Sequence, residues 1–270
     1  MSEQTLLSFS ESERSPLSIR AKALVFIDPL SQALRQKAES LALGTLPLLI
    51  EAEAGTGKEL LARYIHRSSE RAGLFVALNC ASLSGQFGEA ELFGYAAGNL
   101  QGLTTGRAGW YGSANGGTLY LDEVADLSRE LQRKLLTALE TREVYRVGAA
   151  AAQPTDVRLI AATSIDLSRA VAAGTFDEQL YAYLSDGHLA FAALRQRVGD
   201  ILPLAEYFLA IHARRLNLPV QVLSATVQAS LERYCWPGNT RELENVIHQA
   251  LLLAGHAPIS PEHLQLAPLA

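Results

Sequence analysis

The chain has 270 residues, 49% of them hydrophobic and 19% charged, enough for one sizeable core with a smaller satellite and ordinary for a globular protein. A net charge of −5 and the absence of any Lys/Arg run argue against broad binding to a phosphate backbone. The polar, acidic start MSEQTLLSFSESERS has no signal-peptide layout, and no apolar run approaches the ~20 residues of a membrane span, so the expected compartment is the cytoplasm. Cys80 and Cys235 are far apart in apolar surroundings and read as two buried free thiols.

Residues 1–20, rich in Ser, Glu and Arg, read as a disordered arm. Residues 21–197 alternate short apolar runs with helical patterns, as in an α/β fold with a parallel sheet. Buried strands are expected at 46–50, 75–79, 118–121 and 157–162, with helices at 58–66 and 128–140. Residues 198–270 read as a helical domain, with helices at 199–211, 224–234 and 240–254. Leu243, Val246, Ile247, Ala250 and Leu251 form one stripe of the last helix, with Asn239 expected to cap its start and Gly255 its end.

The run LPLLIEAEAGTGKELLARYIH is a strand, a glycine turn and an amphipathic helix. A glycine turn there aims backbone N–H groups at a phosphate, and Lys58 adds a point charge for the β- and γ-phosphates. Two positions depart from the strict phosphate-loop pattern: Ala52 replaces its first Gly and Glu59 its Ser/Thr. A solvated lysine on an ordinary turn is the plain alternative. Downstream, Asp122 and Glu123 end an apolar strand. An Asp there helps hold Mg²⁺ in nucleotide-hydrolysing enzymes, and a Glu beside it orients or deprotonates the attacking water. Two acids at a helix start would look similar.

GTGKELLARYIHRSS, FVALNCASL, ELFGY, GGTLYLDEVADLS, VRLIAAT and WPGNTRELENVI occur in one order. Together they resemble the AAA+ domain of bacterial sigma-54-dependent activators over residues 25–266. The resemblance implies a five-stranded parallel sheet, a helical lid, and a ring of self or related subunits with ATP or ADP and Mg²⁺ between them. It implies a phosphate loop of Gly55, Thr56, Gly57, Lys58 and Glu59, a Walker B pair Asp122 and Glu123, and Mg²⁺ held by Asp122 through the nucleotide. Asn79 matches the residue that restrains the catalytic glutamate, Thr163 and Ser164 the first sensor, and Arg241 the lid arginine that reaches ATP. Asn79 also reads as a turn-closing strand end, and Arg241 as a surface ion pair.

Three departures alter these expectations. The family's GAFTGA loop, which touches sigma-54, is GNLQGL at 98–103, with Leu100 and Gln101 replacing Phe and Thr. The family's segment with two arginine fingers reads FDEQLYAYL at 176–184, putting Asp177 and Tyr183 at the finger positions. The chain stops at Ala270, before the helix-turn-helix domain that usually follows, so no DNA-binding domain is expected in it. The resulting expectation is an ATP-binding AAA+ domain in bacterial transcription regulation, with hydrolysis and sigma-54 contact impaired. Alternatives are a competent ATPase that remodels sigma-54 polymerase, using fingers such as Arg195 or Arg197, and a non-catalytic subunit of a mixed ring.

Overall fold

The computed structural model describes residues 6–8, 23–83, 85, 87–98 and 105–267. Strand β1 (Leu6–Ser8) pairs antiparallel with β2 (Ala23–Val25). Three residues of the arm expected to be disordered are therefore a strand; the rest of that arm lies outside the described residues. Helix α1 (Pro29–Ala42) starts where the Asp28 carboxylate accepts from the Leu30 N–H and Pro29 occupies the first turn. There follow β3 (Leu48–Glu51), α2 (Lys58–Ser68), β4 (Phe75–Asn79), α3 (Gly88–Phe93), α4 (Gly109–Ser113), β5 (Thr118–Asp122) and α5 (Arg129–Thr141). A small ribbon of β6 (Glu143–Val144) and β7 (Gln153–Pro154) precedes β8 (Arg158–Thr163), α6 (Leu167–Ala172), α7 (Glu178–Ser185) and β9 (His188–Ala190). The helices α8 (Ile201–Leu216), α9 (Ala225–Arg233) and α10 (Asn239–Ala254) form the lid.

Five strands make one parallel sheet in the order β4-β5-β8-β3-β9. Strand alternation sends Leu49, Leu119, Leu121 and Leu159 to one face, under α5 and α7. Leu48, Ile50, Tyr120 and Ile160 go to the other face, against Leu61 and Ile65 of α2. The lid has its own core around Phe208, Trp236, Leu243 and Ile247. Residues of the 23–26 segment serve both sides of the seam. Ala23 and Val25 face the lid core, and Leu24 and Phe26 the sheet core.

The expected strands sit within two residues of the observed ones. The first begins at Leu48 rather than 46, after Pro47, which has no N–H to give a ladder. The three-residue β9, with Leu189 as its one fully buried side chain, escapes hydrophobic patterning. Asn239 is not the cap of α10: Gly238 precedes the helix, and Asn239 is its first residue, with a left-handed φ of 53°. Gly255 does close α10, its N–H reaching Leu251 O at 3.0 Å. Both thiols are free, but only Cys80 is buried; Cys235 is half-buried. Among the described residues no helix is long and apolar enough to cross a membrane.

Candidate nucleotide site

The register of the parallel strands decides where the chemistry collects. Asn79 pairs with Asp122 across β4 and β5, and Glu51 with Thr163 across β3 and β8, so the carboxyl ends of four strands share one edge. The phosphate loop leaves β3 at that edge. Gly55 (φ 80°) and Gly57 (φ 105°) take left-handed conformations open to glycine, and Gly57 is the N-cap of α2. A Cβ on Gly55 would lie 2.3 Å from Gly238 O of the lid.

A cavity of about 520 Å³ opens here, lined among others by Gly55, Gly57, Lys58, Glu59, Asn79, Asp122, Glu123 and Arg241. Leaving aside the first-sensor pair Thr163 and Ser164, which lie outside this lining, all but one of the residues assigned as site residues from sequence meet in one place. The exception, Thr56, is 1% exposed and turns inward, its hydroxyl donating to Glu53 O at 2.8 Å.

Lys58 is buried, and its ammonium donates to Glu123 Oε1 at 2.9 Å and to Ala52 O at 3.2 Å. The other Glu123 oxygen accepts the Ser164 N–H at 2.9 Å and the Ser164 hydroxyl at 2.8 Å. Glu123 has φ 51°, a costly conformation for a glutamate and one that recurs where a side chain must be aimed. Burial works to raise its carboxyl, but Lys58 and Ser164 outweigh it and hold Glu123 below the usual carboxylate range. Asp122 behaves oppositely. Burial raises its carboxyl in spite of the Lys58 charge and the Tyr120 hydroxyl, which donates to Oδ1 at 2.9 Å. Burial also raises Glu59, against its ion pair with Arg63 at 2.8 Å.

Asn79 lines the cavity, but its Oδ1 accepts the Ala81 N–H at 2.9 Å, closing the turn after β4, while the Glu123 carboxylate is occupied by Lys58 and Ser164. Thr163 is buried and bonds locally to Ile165, so of the two sensor candidates Ser164 is the one that meets Glu123. Arg63, 4.5 Å from the Phe75 ring centroid, was not singled out from sequence; its spacing of four from Glu59 on α2 was the available signal. Among the described residues no group of three or more His, Cys, Asp or Glu side chains is arranged to hold a metal.

The finger positions lie elsewhere. Asp177 is the N-cap of α7, its Oδ1 accepting from the Gln179 and Leu180 N–H groups at 3.1 Å each. Its other oxygen is 3.6 Å from Arg129. The Tyr183 hydroxyl donates to Leu139 O at 3.4 Å. Arg197 is 1% exposed and binds Ala192 O, Asp200, Thr56 O and Thr240 within its own chain, so it is not placed to reach a neighbouring subunit. Arg195 is partly exposed and clasps Glu53. Leu100 and Gln101 lie outside the described residues.

Residues 24–190 match the family described as the sigma-54 interaction domain, and residues 195–269 the AAA+ ATPase lid domain. The chain is 47% identical over 265 residues to the sigma54-dependent transcriptional activator SfnR of Pseudomonas putida, covering 98% of this chain and 72% of SfnR. It is 44% identical to the response regulator FleR of Pseudomonas aeruginosa over 89% of this chain and 51% of FleR. The crystal structure of NtrX from Brucella abortus in complex with ATP superposes with a TM-score of 0.82 at 34% identity, over 92% of this chain and 56% of NtrX. The chain thus spans little more than half the length of FleR and of that NtrX chain. It belongs to the sigma-54 interaction domain family, as the AAA+ domain of the kind found in sigma-54-dependent transcriptional activators.

Proposed function

We propose that this chain binds ATP and ADP with Mg²⁺ in the cavity between the phosphate loop, β5 and the lid, as the nucleotide module of a sigma-54-type transcription regulator whose hydrolysis and sigma-54 contact are impaired. The observation that carries the reading is the convergence of Lys58, Asp122, Glu123 and Arg241 on one cavity. NtrX, 34–36% identical, has been crystallised with ATP and with ADP.

Lys58 leaves Glu123 for the β- and γ-phosphates, and the N–H groups at the start of α2 face the same anion. Glu123, released from the ammonium but kept by Ser164, becomes the group that orients water. A nucleotide-borne Mg²⁺ would need one or two carboxylates beside the phosphate oxygens, and the half-buried Asp122 on the cavity wall would offer one. Held there, the ion would supply charge neutralisation on the phosphates.

Impaired hydrolysis rests on Asp177 and Tyr183, which bring no cation to a neighbour's γ-phosphate. Impaired sigma-54 contact rests on the sequence change to Leu100 and Gln101. A complete cis site beside finger positions without arginine also favours a second reading, a subunit that joins a mixed ring and lends its site to an intact relative's arginines. Calorimetry with Mg-ATP and Mg-ADP on wild type and Lys58→Ala tests the first reading. No heat from the wild type at millimolar nucleotide sinks it. Turnover measured against protein concentration, alone and with an intact homologue, separates the second reading from the first. Co-elution with sigma-54 in the presence of a transition-state analogue would refute the contact claim.

A further inference from the structure

Behind the cavity, the lid and the segment leading into it hold the phosphate loop residue by residue. Glu53 receives both terminal nitrogens of Arg195, one at 2.9 Å, and the Asn239 amide at 3.1 Å. Ala54 O accepts from the same Asn239 amide at 3.1 Å. Gly55 O accepts the Arg241 N–H at 3.2 Å, and Thr56 O the Arg197 guanidinium at 3.4 Å. Four consecutive residues on the approach to Lys58 are each bonded to residues 195–241. The Gly55–Gly238 approach leaves no room for a Cβ between them.

Asn239 is the pivot of this arrangement. It is fully buried, in a left-handed conformation, and both ends of its amide are used. Its Oδ1 accepts the Leu194 N–H at 2.8 Å while Nδ2 serves Glu53 and Ala54. Only a side chain that donates and accepts at once meets this demand, which a helix cap would not make. A residue kept only to start α10 would have no reason to reach the phosphate loop.

We infer that Asn239 and Glu53, with Arg195, are positioning residues that lock the phosphate loop to the lid, so that nucleotide retention and lid placement are one equilibrium. None of the three touches the phosphates through this clasp; they act through the backbone of residues 54–57. The inference rests on the nucleotide-binding reading above for its kinetic consequence, but not for the clasp itself.

The test uses the full chain and a fluorescent ADP, with release followed by stopped flow, and amide hydrogen exchange of residues 54–58 in nucleotide-free protein. Asn239→Asp keeps the acceptor for Leu194 and turns the donor into an acceptor facing Glu53 and Ala54 O. Loss of a hydrogen bond to a charged group is worth about 10–100-fold, so release from Asn239→Asp should quicken by about tenfold or more. Adding Glu53→Gln returns a donor across the contact and should recover part of the loss. Arg195→Gln and Glu53→Gln alter a partly exposed pair, so both should fold even if Asn239→Asp does not; each should speed release by a few-fold and raise exchange at residues 54–58. A purely structural role predicts lower thermal stability with release from folded protein unchanged. Unchanged release and exchange in Arg195→Gln and Glu53→Gln overturn the inference. If the wild type holds no fluorescent ADP, the nucleotide-binding reading falls, and the exchange data alone still decide the clasp.

Discussion

Two acids of the cavity wall, Asp122 and Glu59, and the acid at the first finger position serve opposite ends. Asp122 and Glu59 are half-buried where burial opposes their charge, raising both carboxyls. Asp177 spends its charge on α7, capping two N–H groups and lying near Arg129. The first arrangement costs the fold something and leaves charge available to a ligand. The second stabilises the fold and leaves nothing for a neighbour. Residues poised against their own stability mark the working half of an active site. On the proposed reading, that measure sets a working cis half against finger positions that serve ordinary helix structure.

The largest effect that bears on this comparison comes from placing arginines at the proposed finger positions. An arginine finger is worth about 10³–10⁵ in rate, so Asp177→Arg with Tyr183→Arg should raise turnover by about 10³ or more. The increase should grow with protein concentration, because the donors act across a subunit boundary. Robust, concentration-dependent hydrolysis in the wild type would erase the asymmetry and revive the competent-ATPase alternative. Arg195 would then be the residue to examine, since Arg197 is committed inside its own chain.

Next in size is Lys58→Ala. It removes the cation expected on the β- and γ-phosphates and should weaken ATP by about 10–100-fold, on the scale of a charge-assisted hydrogen bond. The same change leaves Glu123 held by Ser164 alone. Unchanged calorimetric affinity would mean that the nucleotide sits elsewhere.

A smaller effect separates the two kinds of acid. Asp177→Ala should cost about 1 kcal/mol of stability through the lost cap, while Asp177→Asn, which can still cap, should cost far less. Equal melting temperatures for wild type and Asp177→Ala would show that the cap has no weight, and with it half of the contrast drawn above. This cost also accompanies Asp177→Arg, so the restored enzyme should be faster and less stable.

Much of the cis site was legible because its parts are local signals. The glycine turn before α2, the apolar strand ending in Asp122 and Glu123, and the helical stripe of α10 each declare themselves within a dozen residues. Parallel pairing then brings them to one edge, which the order of motifs implied. Contacts that join distant segments were not legible. Nothing near Asn239 announces Glu53, 186 positions away, or Leu194 as its partners, and a residue just before a helical stripe reads most simply as a cap. Ser164 was visible as a position but not as the holder of Glu123, because that depends on the register of β5 against β8. Strand β9 was too short to carry a period of its own.

The finest test asks whether Asp122 is held against the fold's interest. Its folded carboxyl is raised above the ordinary value, so its ionised form costs stability at neutral pH, and stability is recovered as pH falls through the raised value. Asp122→Asn removes that cost, and its amide oxygen can still accept from Tyr120. The nucleotide-free variant should therefore melt slightly higher than wild type at neutral pH, by less than any change above. The gap should narrow as pH falls through the raised value and the ordinary aspartate range, while the wild-type carboxyl takes up its proton. Glu123 contributes with the opposite sign, since its lowered carboxyl gives stability that is lost as pH falls through the depressed value. That contribution is common to both proteins and cancels in the comparison to the extent that Asp122 does not alter Glu123. Saturating Mg-ATP should reverse the ranking, because ligand stabilises only the protein that holds it. A nucleotide-free Asp122→Asn protein that melts lower than wild type at neutral pH would show that the Lys58 attraction outweighs burial. Asp122 would then belong with Asp177, among the acids that serve the fold.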